Sequence, residues 1–169
     1  MRVVDDTNTS LKPGDVGEVL LGGPMIMQGY HNLPDASREV LNGAHEFRTG
    51  DLGKLDDDGF LFITGRAKDM IIIAGEKLFP REIEEILLAH PTVADSAVIG
   101  KKDDSRGEVV VAFVTPREGQ TIEIEKLKTH LKDSGLPNWK MPREIVVLPE
   151  LPRSPTGKVL KRELASKAS

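Results

Sequence analysis

The sequence predicts an α+β fold, a small mixed β-sheet packed with helices and preceded by a β-rich piece. Three observations carry this. Residues 1–66 hold short strand-like runs separated by turn residues, with no continuous core pattern of their own. Beyond Arg66, two stretches with helical periodicity alternate irregularly with apolar runs. One of those runs, "EVVVAFV" (108–114), is apolar throughout and is therefore expected at the centre of a sheet.

The elements follow in order. "RVVD" reads as a strand, "KPGD" (12–15) as a turn and "GEVLLGG" (17–23) as a second strand. "DASREVL" (35–41) reads as a short helix with Asp35 as its N-cap. "FRTGDLGKLDDDGFLFITGR" (47–66) is strand, acidic turn, strand, with Gly59 expected at positive φ. "MIII" (70–73) is a short buried strand. "PREIEEILLAH" (80–90) is a helix with Pro80 at its first position and Ile83, Ile86 and Leu87 on one face. "DSAVIG" (95–100) reads as a strand. "TIEIEKLKTHLKDSG" (121–135) is a second helix, with Thr121 placed to cap it and Ile124, Leu127 and Leu131 as its stripe. "EIVVL" (144–148) is a third strand, and Lys158–Ala165 a terminal helix.

Composition narrows the chemistry. Of 169 residues, 38% are hydrophobic and only seven are aromatic, so the core must rest on Val, Ile and Leu. The absence of cysteine rules out disulfides, thiolate zinc sites and thiol nucleophiles, and favours a reducing, cytoplasmic location. His31, His45, His90 and His130 are too scattered for a metal motif, so no metal site is expected. No apolar run approaches the ~20 residues of a membrane span, and "MRVVDDTNTS" has no signal-peptide core. The net charge of −4 is uneven: residues 1–124 carry 13 basic against 22 acidic groups, residues 125–169 carry 10 against 5. A basic tail on an acidic body suits acidic or phosphate-bearing partners, or is simply a solvated face. Without an aromatic-plus-basic platform, nucleic acid is not an expected partner.

"SPTGKV" is not a phosphate-binding P-loop: no glycine precedes Gly157 by five residues and no Ser or Thr follows Lys158. Three clusters remain, "RTGD" (48–51), "GRAKD" (65–69) and the Lys158 turn, each placing charge beside glycine and apolar residues. Ordinary structural roles exist for all three: Asp51 as a turn former, Arg66 and Asp69 as an ion pair, Lys158 as a solvated helix start. Lys158 does not help the helix it precedes, since positive charge at a helix N-terminus is unfavourable by tenths of a kcal/mol.

Taken together and in order, "GEVLLGGPMIMQGYHNLPDAS", "FRTGDLGKLDDDGFLFITGRAKDMIIIAGEKLFPREIEEIL" and "LPRSPTGKVLKREL" resemble the last third of an AMP-forming adenylating enzyme. That family includes acyl-CoA and acyl-carrier-protein synthetases, the adenylation domains of peptide synthetases, and luciferases. The resemblance implies that residues 1–66 are the end of the large domain's β subdomain and 67–169 a small mobile C-terminal lid. It implies a ligase reaction in two steps. A carboxylate attacks the α-phosphate of ATP to give acyl-adenylate and pyrophosphate, and a thiol of coenzyme A or phosphopantetheine then displaces AMP. Mg2+ would accompany ATP on ligands outside this chain, and the acid is expected to be a fatty acid.

Motif by motif, the resemblance implies that Asp51 accepts hydrogen bonds from the ribose hydroxyls and that Arg66 also holds the ribose. Lys68 matches the hinge about which the small domain rotates between half-reactions. Gly75 matches a glycine lining the pantetheine tunnel, although Ala74 and Lys77 depart from the usual Gly-Gly-Glu-Asn. Lys158 matches the lysine that bridges the reacting carboxylate and α-phosphate oxygens. Trp139 is open between stacking on an adenine and anchoring the core. The family's Ser/Thr/Gly-rich phosphate loop and Tyr-Gly-x-Thr-Glu segment have no counterpart here, so the chain alone is expected not to turn over ATP. "MRVVDD" beginning inside a strand favours a truncation. The rival expectation is a free-standing lid that docks a carrier protein or partner subunit without chemistry.

Overall fold

The structure is a computed structural model, and residues 1–167 are described. The chain divides into two compact units, Met1–Lys68 and the remainder from Asp69. The architecture is α+β: one antiparallel and one mixed sheet, with helices packed on the latter.

In the first unit four strands, β1 (Arg2–Val4), β2 (Gly17–Gly22), β3 (Glu46–Leu55) and β4 (Leu61–Arg66), form an antiparallel meander in sequence order. Val3, Val4, Val19 and Leu20 are buried on it. The acidic turn closes because Asp56 Oδ1 accepts from the backbone N–H of Asp58 at 3.1 Å and Phe60 at 2.8 Å. Arg2 chelates Glu46 through Nε and Nη2 at 2.9 and 2.7 Å, and Asn42 adds a third donor. Arg2, then Asn42, hold the Glu46 carboxyl down at about 2. Helix α1 (Pro34–Val40) differs from expectation at its start: Leu33 is the N-cap and Pro34 opens the helix. Asp35 lies in the first turn, where it favours the dipole and pairs with Arg38.

The second unit begins with a hairpin, β5 (Ile71–Ile73) and β6 (Glu76–Leu78), followed by α2 (Pro80–Ala89). Strands β7 (Val93–Asp103) and β8 (Gly107–Pro116) pair antiparallel, α3 (Ile124–Asp133) crosses over, and β9 (Glu144–Val147) returns parallel to β8. The chain ends in α4 (Lys161–Ala165). β8 is the buried central strand that its apolar run predicts. Val110, Ala112 and Val114 face Ile83 and Leu87 of α2 and Leu127 and Leu131 of α3. Val111 and Phe113 face the other way, onto Ala97, Ile99, Leu151 and Leu164.

Three local expectations shift. Strand β6 was hidden by its polar "GEK" and forms because the β5 turn folds it back onto β5. Thr121 does not cap α3. Glu123 occupies the cap without a side-chain bond, and Ile122 is buried while Ile124, at the first helical position, is 37% exposed. The terminal helix begins at Lys161, so Lys158 precedes it by nearly a turn and lies in a hairpin instead.

Where α2 meets α3, the His90 and His130 rings meet edge to face at 5.1 Å. His90 Nδ1 shares a 2.9 Å bond with the Thr92 hydroxyl, and His130 Nε2 one of 3.0 Å with the Ile86 carbonyl. Burial, then His130 and Lys126, pushes the His90 imidazole below its ordinary value. The unfolded chain then binds the proton more readily than the folded one, so stability is lost as pH falls below about 6.5 and keeps falling until the depressed folded value is passed. Urea unfolding between pH 7.5 and 5 should show a steeper loss for the wild type than for His90→Gln. Parallel curves would remove His90 as the source.

Candidate functional site

"RTGD" produces a β-bulge. Leu20 pairs with Arg48 and Glu18 with Leu52, so the single residue Val19 faces three, Thr49, Gly50 and Asp51. Gly50 takes φ +70°, a left-handed conformation that glycine adopts without cost. Thr49 turns its hydroxyl onto the Val19 carbonyl at 2.8 Å and accepts the Asp51 amide at 3.0 Å. A second irregularity in β4, between its pairings at Leu52–Gly65 and Gly53–Ile63, leaves Thr64 as the extra residue. Its buried hydroxyl has no partner among the described residues.

These two irregularities bring Asp51 opposite Arg66. Arg66 Nε donates to Asp51 Oδ1 at 2.8 Å, with both side chains partly exposed. Arg66 therefore pairs with Asp51, not with Asp69. The pairing uses one oxygen and one N–H. Asp51 Oδ2 and both Arg66 terminal nitrogens have no partner among the described residues, so acceptor and donors for a vicinal diol lie side by side. Asp51 is a strand residue rather than a turn former. Lys68 is exposed in a 3-10 turn, Ala67–Asp69, and is the last residue of the first unit.

In the second unit, Ala74 and Gly75 form the two-residue turn between β5 and β6, with φ of +50° and +89°. Both central residues are left-handed, the type I′ geometry that matches hairpin twist. A Cβ on Gly75 would meet nothing within 4 Å, so its own chain requires glycine there for φ and not for space.

The Lys158 segment is a small hairpin. Arg153 bridges Val159, and Ser154-Pro155-Thr156-Gly157 form the turn, closed by the Gly157 N–H to Ser154 carbonyl bond at 2.8 Å. Val159 packs on the second core cluster. Alternation along the strand then points Lys158 outward, where it is exposed and its ammonium has no partner among the described residues. The neighbouring cations differ. Lys161 Nζ reaches Glu84 at 2.8 Å and the Val98 carbonyl at 3.1 Å, and Arg153 pairs with Asp95. Six of the ten basic residues beyond 124 are paired: Lys126, Lys128, Lys140, Arg143, Arg153 and Lys161. The basic tail is thus largely neutralised locally.

Sequence reasoning missed a cleft of about 360 Å3 lined by Arg106, Asn138, Trp139, Met141, Arg143 and Ile73. Trp139 is 37% exposed there, and Arg143 reaches Asp103 at 3.0 Å. Its residues come from three distant segments, and only the lone Trp hinted at it. Among the described residues no cluster of three or more His, Asp or Glu is placed to hold a metal ion, and no helix is long and apolar enough to cross a membrane.

Residues 82–158 match the family model of the AMP-binding enzyme C-terminal domain. The chain belongs to the AMP-forming adenylating enzymes and corresponds to their C-terminal portion. It is similar to the indoleacetate–CoA ligase of Aromatoleum aromaticum, 43% identical over 97% of this chain and 32% of that protein. It is also 42% identical to a fatty acid–[acyl-carrier-protein] ligase of Streptomyces coeruleorubidus, over 96% of this chain and 31% of that protein. Among solved structures, the o-succinylbenzoate CoA synthetase of Bacillus subtilis in complex with its acyl-adenylate intermediate matches with a TM-score of 0.89 at 33% identity, covering 96% of this chain and 33% of that one. The chain spans about a third of the length of the relatives it matches.

The turn supplies a local test. Ala74→Gly relieves a left-handed alanine and should stabilise the second unit by about 0.5–1 kcal/mol, whereas Gly75→Ala should cost about 1–2 kcal/mol. Chemical denaturation of both variants reads the opposite signs; equal signs would sink the assignment of turn type.

Proposed function

We propose that this chain supplies the ribose contacts, the hinge and the catalytic cation of an AMP-forming acid–thiol ligase. The observation that carries the reading is Lys158: an unpaired, outward cation on a braced turn, in a tail whose other cations are mostly paired. Asp51 and Arg66 take the ribose hydroxyls of ATP and AMP through the valences their mutual bond leaves open. Lys158 meets the charge that develops as the carboxylate attacks the α-phosphate. A fixed cation there contributes on the order of 3–4 kcal/mol, comparable to an oxyanion-hole donor. Lys68, exposed at the boundary of the two units, serves as the hinge. Among the described residues no group of three or more His, Asp or Glu offers ligands for the Mg2+ that accompanies ATP. The acid is a carboxylic acid that we read as aliphatic, a fatty acid included, and the setting as cytoplasmic, consistent with a cysteine-free chain.

For the thiol acceptor, the reading favours coenzyme A over a carrier protein. The cleft offers Trp139 as a stacking face and Arg106 and Arg143 as phosphate donors. A nucleotide uses all three, whereas a carrier's phosphopantetheine brings one phosphate and no base. Gly75 follows two residues after Ile73, which lines the same cleft, in keeping with a pantetheine path past the β5–β6 turn. The local neutralisation of the basic tail weakens the rival reading of a lid that only docks an acidic carrier.

Two experiments follow. In a ligase whose C-terminal third is this chain, Lys158→Ala should lower pyrophosphate exchange about 10²–10³-fold while sparing thioester formation from supplied acyl-adenylate. Lys68→Pro, which fixes φ, should mainly slow the thioester step. Exchange unchanged by the first, or both half-reactions unchanged by the second, would remove the role concerned. Calorimetric titration should show coenzyme A binding more tightly than free phosphopantetheine or carrier protein, with Arg143→Ala abolishing the difference. Equal affinity for coenzyme A and phosphopantetheine would sink the acceptor assignment.

A further inference from the structure

We infer that Arg153 is a positioning residue for Lys158, bracing the lysine turn against β7 so that the cation is presented in one direction. The inference rests on the adenylation role proposed for Lys158. Arg153 forks: one terminal nitrogen donates to the Gly157 carbonyl and the other to Asp95 Oδ2 on β7. Asp95 is itself held, because its Oδ1 accepts the Ser96 backbone N–H at 2.9 Å.

The peptide unit that leads into Lys158 is thereby fixed at both ends. Its carbonyl, from Gly157, is taken by Arg153; its N–H, from Lys158, donates to Ser154 Oγ at 3.2 Å. With that plane fixed, the Cα–Cβ direction of Lys158 has little freedom left. The remaining bonds of the hairpin are internal: Ser154 N–H to the Lys158 carbonyl, Gly157 N–H to the Ser154 carbonyl and Leu160 N–H to the Pro152 carbonyl, each 2.8 Å, and the Ser154 and Thr156 hydroxyls at 2.9 Å. They fix the shape of the turn but not its angle to the sheet. Arg153 is the side chain that ties this turn's backbone to β7. Lys161 does a different job: it ties α4 to Glu84 and to the Val98 carbonyl, downstream of the turn.

A partly exposed pair of this kind adds little to global stability. Its effect is geometric, and a lysine swung by about 1 Å from its reacting oxygens loses up to a hundredfold in rate. A lysine in place of Arg153 has a single ammonium and no planar fork, so it cannot serve the carbonyl and the carboxylate in the same geometry.

The test compares Arg153→Gln, Arg153→Lys, Asp95→Asn and, as a contrast, Lys161→Met. In the 169-residue chain, amide hydrogen exchange at Gly157 and Lys158 should quicken at least about tenfold in Arg153→Gln while core amides such as that of Phe113 hold their rates. In the ligase carrying this chain, pyrophosphate exchange should fall about ten- to a hundredfold. KM for ATP and thioester formation from supplied adenylate should stay unchanged. Arg153→Lys should recover only part of the loss, and Asp95→Asn should be intermediate. Lys161→Met should instead lower the unfolding midpoint. Unaltered amide exchange at the turn, or equal losses in both half-reactions, would overturn the inference. Should Lys158→Ala itself leave pyrophosphate exchange intact, the adenylation role fails, and the amide-exchange arm still decides whether Arg153 braces the turn.

Discussion

Strand β8 is apolar from Val109 to Val114 and solvent reaches neither of its faces, so each face has to be covered by a separate layer. One face is covered by α2 and α3, the other by α4 with the segment around Leu151 and Val159. Burying a side chain such as Phe113 or Leu164 contributes about 1.5–3 kcal/mol, several times the value of any exposed ion pair here. The second layer exists because Val111 and Phe113 need it, and the hairpin that carries Lys158 is part of that layer. The Lys158 ammonium is therefore positioned, in the first instance, by the hydrophobic demand of a strand on the opposite side of the sheet from the two long helices.

Much of this was legible in the sequence because it depends on periodicity. The all-apolar "EVVVAFV" announced a two-sided strand, and the spacing of Ile83 and Leu87, or of Leu127 and Leu131, announced the helices that cover it. What escaped depends on hydrogen bonds and tertiary context. Strand β6 carries Glu76 and Lys77, which no strand pattern would pick, and forms because the turn at Ala74-Gly75 returns the chain onto β5. The start of α4 shifted because Lys158 and Val159 are claimed by pairing with the Arg153 segment before the helix can take them. The site residues were legible as motifs, but the partners that position them were not. Asp95 and Arg153 are 58 residues apart, and no local rule couples them.

Electrostatics in the second unit runs by local cancellation. Glu82, Glu84, Asp95 and Asp103 each hold a basic group from later in the chain. An acidic body and a basic tail, which look like separate patches in one dimension, fold into pairs in three. Lys158 lies between two cations that are paired, Arg153 and Lys161, and is itself without a partner among the described residues. In the first unit, Asp51 and Arg66 pair through one oxygen and one nitrogen only, so each is oriented by the other while most of its bonding capacity faces outward.

The bulge in β3 inserts two residues opposite Val19, and two is an even number. Side-chain alternation in a strand has a period of two, so the inside and outside of β3 remain in phase on either side of the insertion. Removing both extra residues would leave an uninterrupted ladder with every core-facing side chain still facing the core, but with no Asp51 presented across from Arg66. Removing one would leave a single-residue bulge of the kind that β4 already carries at Thr64. The Asp51 carboxylate is thus a separable graft on the sheet, one that a chain can gain or lose by a two-residue step without refolding the strands that carry it.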